Sequence, residues 1–329
     1  MTPGRRSVPT AGPRPETIKA IPVRHPWRWL SAVAVLAFAG SAVYTVVTAP
    51  ALRWSIVGQY IFQGLILRGI VVTLELTVLA MAIGIVLGAV LAVMRISPNP
   101  VVSAVSWFYI WFFRGTPVLV QIFFWFNLNI VLSHIGVGIP FTPFHIQAST
   151  NTLIPPFMAA TLGLGLNEAA YMAEIVRAGI ISVDQGQTEA AQALGMTRLL
   201  VMRRIVLPQA MRVIIPPTGN ETISMLKTTS LAFIAAVPEL FTRSEQISNF
   251  NYAVVELAIV ASIWYLFMTS ILTVGQYYLE RYFGRGSQRE LPLTPMQRFK
   301  RMLLTGRPKP VSGGHPGGVG AAMPGSEHR

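Results

Sequence analysis

Asn220, Ser224 and Lys227 follow one another at spacings of four and three residues, and Asn167, Tyr171 and Glu174 repeat the pattern earlier in the chain. On a helix such spacings stack side chains on one face, so each trio predicts a polar stripe. Glu168 stands beside one stripe, Glu221 and Thr228 flank the other, and Thr229 and Ser230 extend it. The chemistry on offer is recognition of a zwitterion. Acidic side chains accept from an ammonium, while Lys227 and the hydroxyls of Thr228, Thr229 and Ser230 donate to a carboxylate. A structural reading competes: Glu174 pairs with Arg177 three residues on, and Lys227 locks helix to helix through carbonyls or a glutamate. Covalent and metal chemistry find no support. The chain has no cysteine, and His25, His134, His145, His315 and His328 stand at no metal-ligand spacing. No Gly-x4-Gly-Lys-Ser/Thr string cradles a nucleotide phosphate. The chain is therefore expected to be no enzyme and to need no cofactor.

The stripes matter because of the segments that carry them. Of the 329 residues 52% are apolar and 12% charged, against about 25% charged in a soluble domain; mean hydropathy is +0.53. The apolar residues fall in blocks: Trp29–Leu52 and Leu257–Leu279 are free of charge, and only Glu75 interrupts Gly69–Met94. Blocks of roughly 20 such residues cross a bilayer. The predicted fold is an all-α integral membrane bundle of about six transmembrane helices, near 29–49, 69–94, 102–133, 154–178, 213–238 and 254–280. In the third, Arg114-Gly115-Thr116-Pro117 predicts a kink, since proline removes a donor and disfavours helix before itself. A charge at the bilayer centre costs about 2.5–3.5 kcal/mol, so the stripes, with Glu75, Arg114 and Gln121, are expected to face inward. Gly84, Gly88, Gly163 and Gly165 are expected to let helices approach closely. The aromatics of Trp107–Trp111 and Phe123–Phe126 read as filling.

The net charge of +13 has a topological cause. Lys and Arg crowd the segments before the first span and after the last, with no basic–aromatic pattern of nucleic-acid recognition. Placing both termini in the cytoplasm also puts Arg95, Arg177, Arg198, Arg203, Arg204 and Arg212 inside, leaving only Arg53, Arg68 and Arg243 outside. Residues 1–27 and 284–329 read as disordered basic tails, and 28–50 as a retained helix rather than a signal peptide. Residues 60–283 form the core domain, with a cytoplasmic loop over 182–212.

That loop is unlike its surroundings. Asp184 with Gln187 predicts a capping box, Gly195 a left-handed helix end, Thr197 a second cap and Pro208 an end or kink. It reads as helix, glycine turn, helix, proline, with Ala190, Ala191 and Ala193 small enough to admit a close partner. On these residues alone, packing against the chain's own bundle is an equal reading.

Glu189-Ala190-Ala191, Gly195, Ile205 and Leu207-Pro208, at these spacings, resemble the EAA signature of ATP-binding-cassette importer permeases. "FRGTPVLVQIFF" (113–124), "AAYMAEIVRAGIISVDQGQTEAAQALG" (169–195), "LPQAMRVIIPPTGN" (207–220) and "LKTTSL" (226–231) resemble its polar amino acid uptake branch. The resemblance covers about residues 60–283 and implies a five-span core, to which the first helix is an addition. It implies that Glu189, Ala190, Ala191, Gly195, Ile205, Leu207 and Pro208 dock on separate ATPase subunits. A second permease subunit, an extracytoplasmic binding protein and an amino acid substrate complete the implied set, in a prokaryotic plasma membrane. Asn167, Glu168, Tyr171, Asn220, Ser224, Lys227, Thr228 and Ser230 are the candidate substrate path. An ion-coupled secondary transporter, with Glu75, Glu168 and Glu174 carrying protons, is the alternative.

Overall fold

A backbone inside hydrocarbon finds no water to bond with, so its N–H and C=O groups must be satisfied internally. The computed structural model, which describes residues 26–138 and 145–283, meets that demand with helices. In chain order they are α1 (Pro26–Val47), α2 (Trp54–Tyr60), α3 (Gly64–Ile96), α4 (Pro100–Gly115), α5 (Val118–Phe126) and α6 (Leu128–Val131). An antiparallel hairpin follows, β1 (His134–Gly138) with β2 (His145–Ser149). Next come α7 (Thr150–Leu153), α8 (Pro156–Ile181), α9 (Gln185–Ala193) and α10 (Arg198–Val201). A π-helical turn (Met202–Val206) leads into α11 (Leu207–Thr228), a 3-10 stretch (Thr229–Ala235), α12 (Leu240–Asn251) and α13 (Val254–Phe283).

Two expectations change. A short hairpin interrupts an otherwise helical chain, and Gly136 and Gly138 in β1 are poor helix formers. The six-helix count is not reproduced by length and hydropathy. Among the described residues, three helices are long and apolar enough to span a membrane: Leu30–Val47, Gly64–Ile96 and Val254–Phe283. Helices α8 and α11 fall short because their polar stripes dilute the apolar residues. The third expected span is divided, as its proline foretold, into α4 and α5. The basic tails lie outside the described residues.

The core is the long contact of α3 with α8. A Cβ on Gly84 would come within 2.5 Å of Glu168 Cγ, and one on Gly88 within 2.6 Å of Met172 Cβ. Without side chains there, the two helices close together and bury Leu76, Ala80, Leu164, Ala169 and Ala173. A Cβ at Gly163 or Gly165 would also crowd a neighbouring isoleucine, as the packing reading expected. The other side of the bundle gathers Ile66, Leu226, Leu240, Leu257 and Val260 around α13. Over Leu30–Val47, helix α1 buries nothing in the bundle. It is tethered where Trp54 Nε1 donates to Val47 O at 2.9 Å and Arg53 pairs with the buried Glu256 at 3.0 Å.

Two side chains that sequence reading did not assign to joints hold them. Gln121 Nε2 donates to the carbonyls Phe113 O (3.0 Å) and Thr116 O (3.1 Å), and to Thr116 Oγ1 (2.8 Å), where α4 breaks before Pro117. Glu239, wholly buried, caps α12: it accepts from the N–H groups of Phe241 and Thr242, the Thr242 hydroxyl and the Tyr265 hydroxyl at 2.6–2.8 Å. The four donors satisfy both oxygens of the buried carboxyl. Glu239 follows Pro238 directly, at the end of the fifth expected span, so no local pattern marks it as a cap.

Candidate functional site

The loop over 182–212 folds into a tight helical hairpin. Gly195 has φ +81°, a left-handed conformation that costs other residues roughly 1–2 kcal/mol. Thr197 Oγ1 accepts from Leu200 N and caps α10, as expected. Asp184 takes the N-cap position of α9, but its side chain makes no capping bond. Gln187 does not close a capping box either; its Oε1 accepts from Gln209 Nε2 at 2.6 Å, tying α9 to α11. Pro208 does not end the second helix. The chain widens by one residue over Met202–Val206, Leu207 N bonding back to Met202 O, and runs on into α11. Pro208 has no N–H for the Arg204 carbonyl and would clash with it in an α-helix; the π turn accommodates both problems.

This hairpin has its own small core, in which Ala191 packs with Val183, Val201, Val206, Ala210 and Ile214 while Ile205 lies partly buried against it. The opposite surface is open. Glu189, Ala190, Gly195 and Pro208 are exposed, and the apolar side chains of Leu194 and Leu199 are 85% and 78% exposed, with Leu207 at 43%. Of the seven EAA residues, Ala191 and Ile205 thus brace the hairpin, and the other five lie on its exposed surface.

The α8 stripe is partly engaged. Asn167 Nδ2 donates to Phe113 O at 2.7 Å, so it shares with Gln121 the task of closing the α4 break. Arg114 lies 5.1 Å from the centre of the Tyr171 ring, a cation–π contact. Glu174 pairs with Arg177 at 2.7 Å, the structural role anticipated for it. Glu168 is 4% exposed, wedged against Gly84, and its Oε1 has no hydrogen-bond partner. Arg95, Trp107, Trp111, Arg114, Tyr171 and Glu174 line one open cavity of about 490 Å³.

The α11 stripe is free. Asn220, Ser224 and Lys227 are exposed along one face, and no bond ties their side chains to other described residues, so the helix-locking reading of Lys227 does not hold. Thr228 and Ser230 turn their hydroxyls back to Ser224 O and Lys227 O, which leaves them only as acceptors toward a ligand. Glu75 is likewise exposed, on an apolar groove of α3 with Val71, Leu74, Val78, Leu79 and Phe157. Were this stripe to lie within a bilayer, a lysine facing lipid would be costly, and water or another protein surface would have to cover it.

The family described as binding-protein-dependent transport system inner membrane component matches residues 84–285. The chain belongs to that family and is the membrane-spanning permease component of an ATP-binding-cassette transporter, not a secondary transporter. It is 49% identical over 285 residues to the arginine transport system permease protein ArgU of Corynebacterium glutamicum, covering 86% of this chain and 87% of that one. It is 38% identical over 212 residues to the nopaline transport system permease protein NocM of Agrobacterium fabrum, covering 63% and 83%. A solved amino acid ABC transporter with histidines aligns at TM-score 0.57 and 34% identity, over 66% of this chain and 94% of that one. The inward-facing methionine transporter MetNI shares the fold at 0.51 and 18% identity.

Proposed function

We propose that the chain imports a polar amino acid, driven by ATP that a separate subunit hydrolyses. The observation that carries this reading is the braced hairpin of α9 and α10, with one face packed and one open, continuous through the π turn with the helix bearing the free polar stripe. A stiff element of that kind passes a displacement on; a floppy loop would absorb it. Glu189, Ala190, Ala191, Gly195, Ile205, Leu207 and Pro208 form and support the docking surface, with Leu194 and Leu199 as its apolar knobs. ATP binding draws two such hairpins together and opens the path outward, and hydrolysis returns it inward.

Two permease subunits, identical or sister chains, face each other across the α11 stripes, and a binding protein delivers substrate on the extracytoplasmic side. Each subunit crosses the membrane six times with both ends in the cytoplasm, α4 and α5 together making one crossing. Arginine is the first substrate to test: the relative at 49% identity is named for it. Glu75, Glu168 and Glu221 supply acceptors for a cation beside the candidate path residues Asn167, Tyr171, Asn220, Ser224, Lys227, Thr228 and Ser230. The test is uptake of labelled arginine into vesicles holding this chain with its ATPase and binding protein. Uptake that follows internal ATP supports the reading. Uptake that persists without the ATPase and stops when ion gradients collapse contradicts it.

A further inference from the structure

Helix α11 contains two adjacent prolines, Pro216 and Pro217. Neither offers an N–H, so the carbonyls of Arg212 and Val213 lose their partners four residues ahead, and the helix is weakest there. The weak point lies between the hairpin and the free stripe. One side chain of another helix reaches it. Gln276 on α13 is 8% exposed, and its Nε2 donates to Pro216 O at 2.7 Å and to Glu280 Oε1 at 2.8 Å. Both partners only accept, so the amide orientation is fixed: Nε2 faces them and Oε1 faces away. Oε1 then occupies the space where a Cβ on residue 219 would stand, 1.5 Å from that position. Residue 219 is glycine, and Gln276 enters only because it is.

We propose that Gln276 is a positioning residue that pins α11 to α13 at its proline joint, so that movement of the hairpin turns α11 about this point. This rests on the coupling function proposed above. Without the pin, displacement of the hairpin is taken up by bending at Pro216-Pro217, and the stripe of Asn220, Ser224 and Lys227 stays still. ATP is then hydrolysed without proportionate transport. Gly219 is the second half of the device.

The experiment uses the complete importer in proteoliposomes, measuring labelled arginine moved per ATP hydrolysed, with complex yield as the control for assembly. Gln276→Ala and Gly219→Ala are each expected to leave complex yield and ATP hydrolysis intact while arginine moved per ATP falls about tenfold, within the range usual for coupling between sites. The double variant is expected to be no worse than either alone, because both remove the same contact. Glu280→Gln, which keeps an acceptor, is expected to couple normally. Hydrolysis and transport falling together with complex yield, additive losses in the double variant, or unchanged coupling would each overturn the pin. Wild-type chain that moves arginine with no ATPase present overturns the coupling function itself, and is seen before any substitution is made.

Discussion

At the scale of single residues, the polar side chains divide by what they touch. Asn167, Gln121 and Glu239 carry no such mark in sequence, yet each satisfies backbone groups that a break or a helix start leaves open. Glu239→Gln replaces an acceptor oxygen with an NH2 group facing a donor, leaving a buried group unpaired at a cost of about 1–3 kcal/mol. A lowered unfolding temperature of the detergent-solubilised chain is the expected outcome; an unchanged one would mean that the four bonds contribute nothing net. Gly84→Val tests the closest helix approach. Its side chain meets Glu168 and the α8 backbone, and overpacking of this kind costs typically about 1–3 kcal/mol. Reduced yield of monodisperse protein is expected, with Gly40→Val on the unpacked α1 as the control, since nothing lies within 4 Å of that position. The α11 stripe belongs to the other class. Lys227→Gln should leave folding untouched and change arginine uptake, and equal uptake by both proteins would remove Lys227 from the path.

At the scale of elements, the hairpin and its joints decide the behaviour. Gly195→Asp places a side chain at φ +81° on the open surface. The chain is expected to insert normally while uptake is abolished, checked by membrane yield beside transport; normal transport by a well-inserted variant would contradict the docking role. Glu189→Lys, which reverses an exposed charge, is expected to act likewise. The elements also show what a sequence discloses about itself. The glycine turn, the Thr197 cap, the Arg114–Pro117 break and the Glu174–Arg177 pair are local events, set by residues within four positions of one another, and all were legible. Asp184 makes no side-chain cap, and the side chain of Gln187 that would have completed the box is held instead by Gln209, 22 residues away. Pro208 was expected to end or kink a helix; a π turn lets the backbone continue past it, and nothing in the local sequence demands that choice. The pin of Gln276 on Pro216 joins residues 60 apart. Its one sequence trace was a lone amide in a charge-free span, with a glycine close behind a proline pair.

At the scale of the whole molecule, apolar blocks disclose the membrane bundle, while the polar residues of α8 and α11 lower their hydropathy below that of the other long helices. One protomer leaves the α11 stripe, Glu75 and the hairpin's open face unpartnered, which is how a component of a larger assembly looks when seen alone. The absence of cysteine permits a direct test of that assembly. With Leu194→Cys as the sole thiol, a short bifunctional cross-linker in sealed membranes should join the chain to its ATPase subunit, with a yield that changes when ATP is added. No adduct with the ATPase in a functioning importer, or labelling of residue 194 by an impermeant reagent from the extracytoplasmic side, would contradict the account.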